Sequence, residues 1–289
     1  MDQNSKSKRL LQEIVNRQQR KKALDPQIAL FAQQRSFALD RNKLVAACCS
    51  RRAGKSYAMA FRLAQVAIEK PHSLIPYITR TREDAKDILH PPLIELNQRY
   101  NLGLKFRQNN GDVCFPNGSR IFLRGANNMR EVEKLRGKKF PIVGIDEAQN
   151  FPEDLMAYML EQVIEPATMD YIDSQILMGG TPNASCAGPF HEMVTGKTPG
   201  WSVHGWVFTD NPHLPDPVGQ LAGLRRRRGW TVAHPAYRRE YLGQWVRDAE
   251  GLVYEFNPRI NAVPQWNKDL AADWQYLLGI DLGFNDPTA

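Results

Sequence analysis

Residues 43–61, Lys43-Leu-Val-Ala-Ala-Cys-Cys-Ser-Arg-Arg-Ala-Gly-Lys-Ser-Tyr-Ala-Met-Ala-Phe61, leave a chain few ways to fold. They read as a short apolar strand from Leu44 to Cys48, a tight loop, and a helix from about Lys55. The loop follows the phosphate-binding spacing G-x-x-x-x-G-K-[ST], with Cys49 standing where the first glycine is expected. Backbone N–H groups of such a loop converge on a polyphosphate, and the helix N-terminus after it favours negative charge. Gly54 permits close backbone approach, Lys55 reaches the β- and γ-phosphates, and the Ser56 hydroxyl can coordinate Mg²⁺. The missing first glycine weakens the spacing taken alone. A strand before and a helix after supply the context it requires.

The 289 residues suffice for one large or two modest domains. A hydrophobic content of 42% places the chain among globular proteins rather than disordered ones. The net charge of +7 points toward a polyanionic partner. Cys48, Cys49, Cys114 and Cys186 form no C-x-x-C pair and no metal-type spacing with histidine, which fits a reducing cytoplasm. Cys48 and Cys49, at the end of a buried strand, read as small core residues. No secretory signal and no long apolar run is present, so no membrane span is expected.

Residues 5–22 form a basic amphipathic arm with Leu10, Leu11, Ile14 and Val15 at helical spacing, read as a solvated face in preference to a DNA arm. Asp25-Pro26 is an N-cap followed by proline at the first helical position. The helix it starts carries Gln27, Ile28, Phe31 and Ala32 and runs toward Arg41-Asn42. Ser73–Thr79 is a second strand, and Thr81-Arg-Glu-Asp84 starts a helix that His90-Pro91-Pro92 interrupts. From Leu104 to Arg124 the pattern is β, broken by turn clusters at 109–112 and 116–119.

Phe140-Pro-Ile-Val-Gly-Ile-Asp-Glu147 is the second chemical landmark. An apolar run ending in two acids is a buried parallel strand that delivers carboxylates to the sheet's C-terminal edge, where open α/β sheets bind ligands. Downstream of a phosphate loop, Asp146 reads as the acid that holds Mg²⁺ through water, and Glu147 as the base that polarises the attacking water. A helix over about 152–164 follows. Ser174–Met178 is then another strand, ending in a Gly179-Gly180-Thr181-Pro182-Asn183 turn that could sense hydrolysis beside the γ-phosphate. Pro189–Pro217 looks like a loop-heavy connection. Arg225–Arg228 beside Trp230 is a dense basic cluster, able to grip phosphates but more often a solvated face. Tyr237–Val246 is helical, Leu252–Phe256 extended, and Tyr276–Asp281 a further strand.

The ordered set Leu24-Asp-Pro-Gln27, Ser50-Arg-Arg-Ala-Gly-Lys-Ser56, Asn117-Gly-Ser119, Leu135-Arg-Gly137, Ile142–Ala148, Gly179-Gly-Thr-Pro182, Asn211-Pro212, Arg239-Glu240, Leu242-Gly243 and Gly279-Ile-Asp-Leu-Gly283 resembles the large subunit of tailed-bacteriophage terminases. The resemblance covers nearly the whole chain. It implies an α/β P-loop NTPase of the additional-strand, catalytic-glutamate type, with a mainly parallel central sheet flanked by helices. The corresponding organisation is a basic arm at 1–24, an ATPase core at 25–205, a lid or linker at 206–272, and the first strand of a shortened RNase H-like nuclease domain at 273–289.

Carried over by position, Gln27 resembles the adenine-contacting glutamine, and Ser50, Arg51, Arg52, Ala53, Gly54, Lys55 and Ser56 the ATP loop. Arg51 matches the loop arginine that stabilises the γ-phosphate, with Arg52 as the substitute. Asp146 and Glu147 match the metal-binding and catalytic acids, Gly179, Gly180 and Thr181 the coupling motif, and Asp281 the first acid of an incomplete nuclease site. Arg124, Arg130 and Arg136 are candidates for an arginine acting across subunits. The implied cofactors are ATP and Mg²⁺, with Mg²⁺ or Mn²⁺ for the nuclease of the full-length protein. The implied partners are double-stranded DNA, the portal and procapsid, a terminase small subunit, and further copies in a ring. The implied setting is the host cytoplasm, with transient docking on the procapsid. A two-metal nuclease needs carboxylates from several strands, so the 289 residues are expected to hydrolyse ATP without cutting DNA. A helicase-like translocase is the alternative, though it needs a second motor domain that the residues after Asn183 do not supply. A nucleotide-gated DNA clamp is a third reading, opposed by the intact Lys55 and Glu147.

Overall fold

The computed structural model describes residues 24–247. The basic arm, the extended piece at 252–256 and the strand carrying Asp281 lie outside the described residues.

Asp25 caps α1 (Pro26–Ala29) by accepting from the Gln27 N–H at 2.8 Å, with Pro26 at the first position as its fixed φ favours. The expected single helix is two. Leu30 turns to an extended conformation and is buried, and α2 (Ala32–Leu39) starts afresh after it. Burying Leu30 beside Ala29 outweighs helix continuity here. Strand β1 (Leu44–Cys48) and helix α3 (Lys55–Glu69) have the bounds expected.

Strand β2 (Leu74–Thr79) leads into α4 (Arg82–Tyr100), capped by Thr81, whose hydroxyl accepts from the Asp84 N–H. The prolines at 91 and 92 do not interrupt α4. They remove two N–H donors, but Ala85, Leu89, Leu93 and Leu96 form one buried stripe that holds the helix through them. Strands β3 (Lys105–Phe106), β4 (Val113–Cys114) and β5 (Arg120–Gly125) follow, then α5 (Met129–Glu133) and β6 (Ile142–Ile145). Next come α6 (Glu153–Ala157), a π-helical stretch (Tyr158–Ile164) and α7 (Glu165–Thr168). In β7 (Gln175–Gly180) the two glycines are the last strand residues rather than a turn.

The stretch 189–217 is more regular than a loop-heavy connection. It holds α8 (Pro189–Val194), β8 (Trp201–His204) and a 3₁₀ turn at Phe208–Asp210. After it come α9 (Pro217–Arg228) and α10 (Pro235–Leu242).

The eight strands form one sheet in the order β3-β4-β5-β2-β6-β7-β1-β8. From β5 to β8 every pairing is parallel, and β3-β4-β5 is an antiparallel edge. Side chains alternate between two cores. Val45, Ala47, Ile142 and Leu177 face the core under α2, α3 and α4, while Ala46, Val143, Ile145, Ile176 and Met178 face the core under α6, α7 and α8. Strand β7 lies between β1 and β6, so the ends of all three open on one place at the sheet's C-terminal edge. A small separate cluster, Phe208, Leu221 and Tyr237, forms after β8, within the stretch expected to be the lid.

Candidate functional site

The loop from Cys49 to Gly54 is shaped by what holds its carbonyl groups. Gln34 Nε2 donates to Gly54 O at 2.8 Å, Trp206 Nε1 to Ala53 O at 2.7 Å, and Asn211 Nδ2 to Arg52 O at 3.0 Å. With the carbonyls pinned from outside, the N–H groups of Arg52, Ala53 and Gly54 meet no acceptor among the described residues. Those of Lys55, Ser56 and Tyr57 are the first-turn donors that any helix leaves unbonded. This is a ready cradle for a polyphosphate. Gly54 has φ +86°, and a Cβ there would lie 2.6 Å from Gln34 Nε2, so only glycine serves.

At the base of the cradle, Lys55 pairs with Asp146, and both are buried. Ser56 Oγ donates to Asp146 Oδ2 at 2.9 Å, Tyr77 Oη to the same oxygen at 2.7 Å, and the Glu147 N–H to Oδ1 at 2.8 Å. Burial opposes the charge on Asp146, but the Lys55 ammonium and these hydrogen bonds outweigh it and hold the carboxyl below the usual carboxylate range. Burial likewise opposes the charge on Lys55, and the carboxylates of Asp146 and Glu147 raise its pKa above the ordinary lysine value. Burial pushes the Cys48 thiol up to about 12, so it stays protonated and inert at neutral pH.

Glu147 stands one residue beyond, partly exposed, with Lys55 Nζ at 3.4 Å. Gln149 Nε2 donates to Glu147 Oε2 at 2.7 Å, while Gln149 Oε1 accepts from the Thr181 N–H at 3.1 Å. One amide thus joins the second acid to the end of β7. The glycines there are needed for room. A Cβ on Gly179 would lie 3.0 Å from both Asp146 Oδ1 and Lys55 Cδ, and one on Gly180 would lie 2.5 Å from Phe190.

A cavity of 590 Å³ opens over the cradle, lined by residues 50–57, Glu147 and Thr181. Ile88, Pro91, Pro92, Glu95, Asn211 and Leu214 line it as well. Of the residues expected in the site, Ser50–Ser56, Glu147 and Thr181 line this cavity, with Asp146, Gly179 and Gly180 beneath it. Gln27 does not: its side chain is exposed on α1 and lines no part of the cavity. A capping turn that buries Ala29 and Leu30 leaves Gln27 facing outward. Gln34 and Trp206 carry no local signal of their role, since each acts on a backbone carbonyl far away in sequence, 20 and 153 residues off. Asn211 is singled out by the resemblance and Gln149 stands two residues after Glu147, but the bonds to Arg52 O and the Thr181 N–H are not legible from those positions. Among the described residues no cluster of three or more His, Cys, Asp or Glu side chains could hold a metal by itself. The Ser56 hydroxyl with a single carboxylate suits Mg²⁺ shared with phosphate oxygens.

A family model described as "Terminase large subunit, T4likevirus-type, N-terminal" matches residues 47–257, well over half of the chain. The chain belongs to the terminase large subunit family. The large terminase subunit of Escherichia phage T5 is 27% identical over 275 residues, covering 91% of this chain and 58% of that protein. The chain therefore spans less than two thirds of that relative's length. Among solved structures, the Thermus phage P74-26 large terminase ATPase domain superposes with a TM-score of 0.58 at 17% identity, covering 75% of this chain and 94% of that one. The large terminase of another thermophilic bacteriophage gives 0.57 at 18% identity, covering 79% and 53%. At these identities the likeness speaks for the fold, an α/β sheet of eight mostly parallel strands flanked by helices.

Proposed function

We propose that this terminase-family chain carries the ATP-hydrolysing part of a DNA-packaging motor. The observation that carries the reading is the meeting of Lys55 and Ser56, at the start of α3, with Asp146 and Glu147, just past the end of β6, below a loop whose Arg52, Ala53 and Gly54 N–H groups meet no acceptor among the described residues. Large terminases from the second of those thermophilic bacteriophages have been solved with ADP and with ATP-γ-S, which supports a nucleotide here. In this scheme the loop N–H groups and Lys55 bind the polyphosphate, and Ser56 and Asp146 hold Mg²⁺. When bound, that ion would supply neutralisation of phosphate charge. Glu147, kept in place by Gln149, orients and deprotonates the attacking water. Arg51 stabilises charge on the transferred group. The apolar wall of Tyr57, Ile88, Pro92 and Leu214, rather than Gln27, takes the base. Gly179–Thr181 reports hydrolysis through Gln149.

The wider reading is that ATP turnover drives double-stranded DNA into a procapsid. It places a ring of copies on the portal in the host cytoplasm, assisted by a small subunit, with DNA cutting at Asp281 in the longer protein. Of the three arginines considered for action across subunits, Arg136 is committed to Glu133 and Arg124 lies half-buried over the Phe122 ring. Arg130 is exposed, without an ion pair among the described residues, and is the one left free for a neighbouring copy.

The test is steady-state phosphate release with Mg²⁺. Lys55→Ala is expected to lose binding and turnover together. Glu147→Gln is expected to keep ATP binding while turnover falls about 10²–10⁴-fold, the usual range for a lost general base. Undiminished turnover in Glu147→Gln would remove the assignment.

A further inference from the structure

Among the described residues, Tyr77 is the largest side chain that is fully buried. A phenylalanine would fill the same space. What the hydroxyl adds is the 2.7 Å hydrogen bond it donates to Asp146 Oδ2. The strands make that reach possible. Tyr77 of β2 is paired in register with Gly144 of β6, and Asp146 follows two residues on, toward the same face. The ring crosses Gly144, where a Cβ would lie 3.3 Å from Tyr77 Cδ2 and 3.0 Å from Leu63 Cδ1. A glycine inside a strand gives up packing, and often marks a close approach. Here the tyrosine ring is what approaches.

Asp146 accepts from four donors, as many as the lone-pair sites of its two oxygens. Lys55 Nζ and the Glu147 N–H meet Oδ1, while Ser56 Oγ and Tyr77 Oη meet Oδ2. On the nucleotide reading, on which this inference rests, two of the four are called elsewhere: Lys55 to the polyphosphate and Ser56 to Mg²⁺. The other two stay. The Glu147 N–H is fixed in the backbone, and the Tyr77 hydroxyl is enclosed with no other hydrogen-bond partner among the described residues. Each holds one oxygen, which sets the plane of the carboxylate. Without them the group would turn about its Cβ–Cγ bond, a torsion with broad minima. We propose that Tyr77 is a positioning residue for the metal: it is the side chain that keeps Asp146 aimed once Lys55 and Ser56 have left it. Tyr77 lines no part of the cavity and acts through Asp146.

The experiment measures ADP affinity with Mg²⁺ and with EDTA, in the unaltered chain and in Tyr77→Phe, which keeps the ring and removes only the hydroxyl. The ratio of the two affinities reads what the metal adds. Tyr77→Phe is expected to lower that ratio about 10-fold, the lower end for a residue that orients a metal-holding ligand, because Asp146 meets the ion through water. ADP affinity in EDTA should not change. A hydroxyl that merely satisfies a buried acid would lower the denaturation midpoint and leave the ratio as it was, which would overturn the proposal. Equal weakening under both conditions would overturn it as well, since the hydroxyl would then be a support for the cradle. A crystal structure of the unaltered chain with Mg²⁺ and ADP needs no variant. It should show Tyr77 Oη still bonded to Asp146, with Lys55 and Ser56 turned away; a separation beyond about 3.5 Å would also overturn the proposal. If the unaltered chain binds ADP under neither condition, the nucleotide reading itself falls.

Discussion

The loop at 49–54 has an inner support and an outer one, and they differ in physical kind. Beneath it, Lys55, Asp146 and Tyr77 are buried, joined by charge-assisted hydrogen bonds, and enclosed by strands with neighbours on both sides. Above it, residues 207–243 contribute three buried hydrophobic side chains, Phe208, Leu221 and Tyr237, in a small cluster of their own. Their charged contact with the loop, Arg51 to Glu240, is partly in water. Breaking the inner network would strand a buried charge, at a cost of about 3–5 kcal/mol. The outer pair contributes about 1 kcal/mol or less.

The comparison can be broken first at Arg51. Arg51→Ala is expected to lower turnover by about 10³–10⁵, as for other arginines facing a transferred phosphoryl group, while ADP affinity changes little. Equal loss of turnover and ADP binding would place Arg51 among the structural supports. A smaller effect is expected from Gly180→Ala, whose new methyl group meets the Phe190 ring and Gln149. Overpacking of this kind costs about 1–3 kcal/mol, read as a lowered denaturation midpoint. An unchanged midpoint would show that the end of β7 is looser than the inner support requires. Smaller again is Asn211→Ala, which removes one neutral hydrogen bond to the loop and should cost about 0.5–1.5 kcal/mol, with weaker nucleotide binding if the pinned carbonyl orients the cradle.

The smallest effect separates the two edges of β1. Asp40 accepts from Ser202 Oγ at 2.5 Å and contacts His204 Nε2 at 2.7 Å, tying β8 to the end of α2. Burial opposes its charge, but Ser202, Asn42 and His204 lower its pKa to about 2 from 3.8. A carboxyl lowered on folding contributes stability that is full above about pH 4 and is lost as pH falls toward 2. Asp40→Asn should flatten that part of the acid-unfolding curve and leave stability at pH 7–9 equally pH-independent in both chains.

The inner support is largely legible in the residues and the outer one is not. The bounds of β1 and α3 follow from an apolar run, a glycine that must adopt positive φ, and Lys55-Ser56 immediately after it. Strand β6 and its two acids announce themselves in the same way. Trp201-Ser-Val-His204 does not, because an edge strand that leaves Val203 exposed need not alternate cleanly. The diproline reads locally as a break, whereas the leucines around it decide the helix through packing. Gln34, Trp206 and Asn211 position backbone carbonyls across distances of 20, 153 and 159 residues, which no local pattern encodes. Resemblance draws Gln27 to the site, and the buried turn at Leu30 leaves it outside.

Glu147 sits at φ 53°, ψ 42°, a left-handed conformation that a side-chain-bearing residue adopts at a cost of about 1–3 kcal/mol. Glycine would adopt it almost freely. On the proposed role of Glu147, folding and hydrolysis therefore make opposite demands on one position: Glu147→Gly is expected to melt at a higher temperature than the unaltered chain while turning over less ATP.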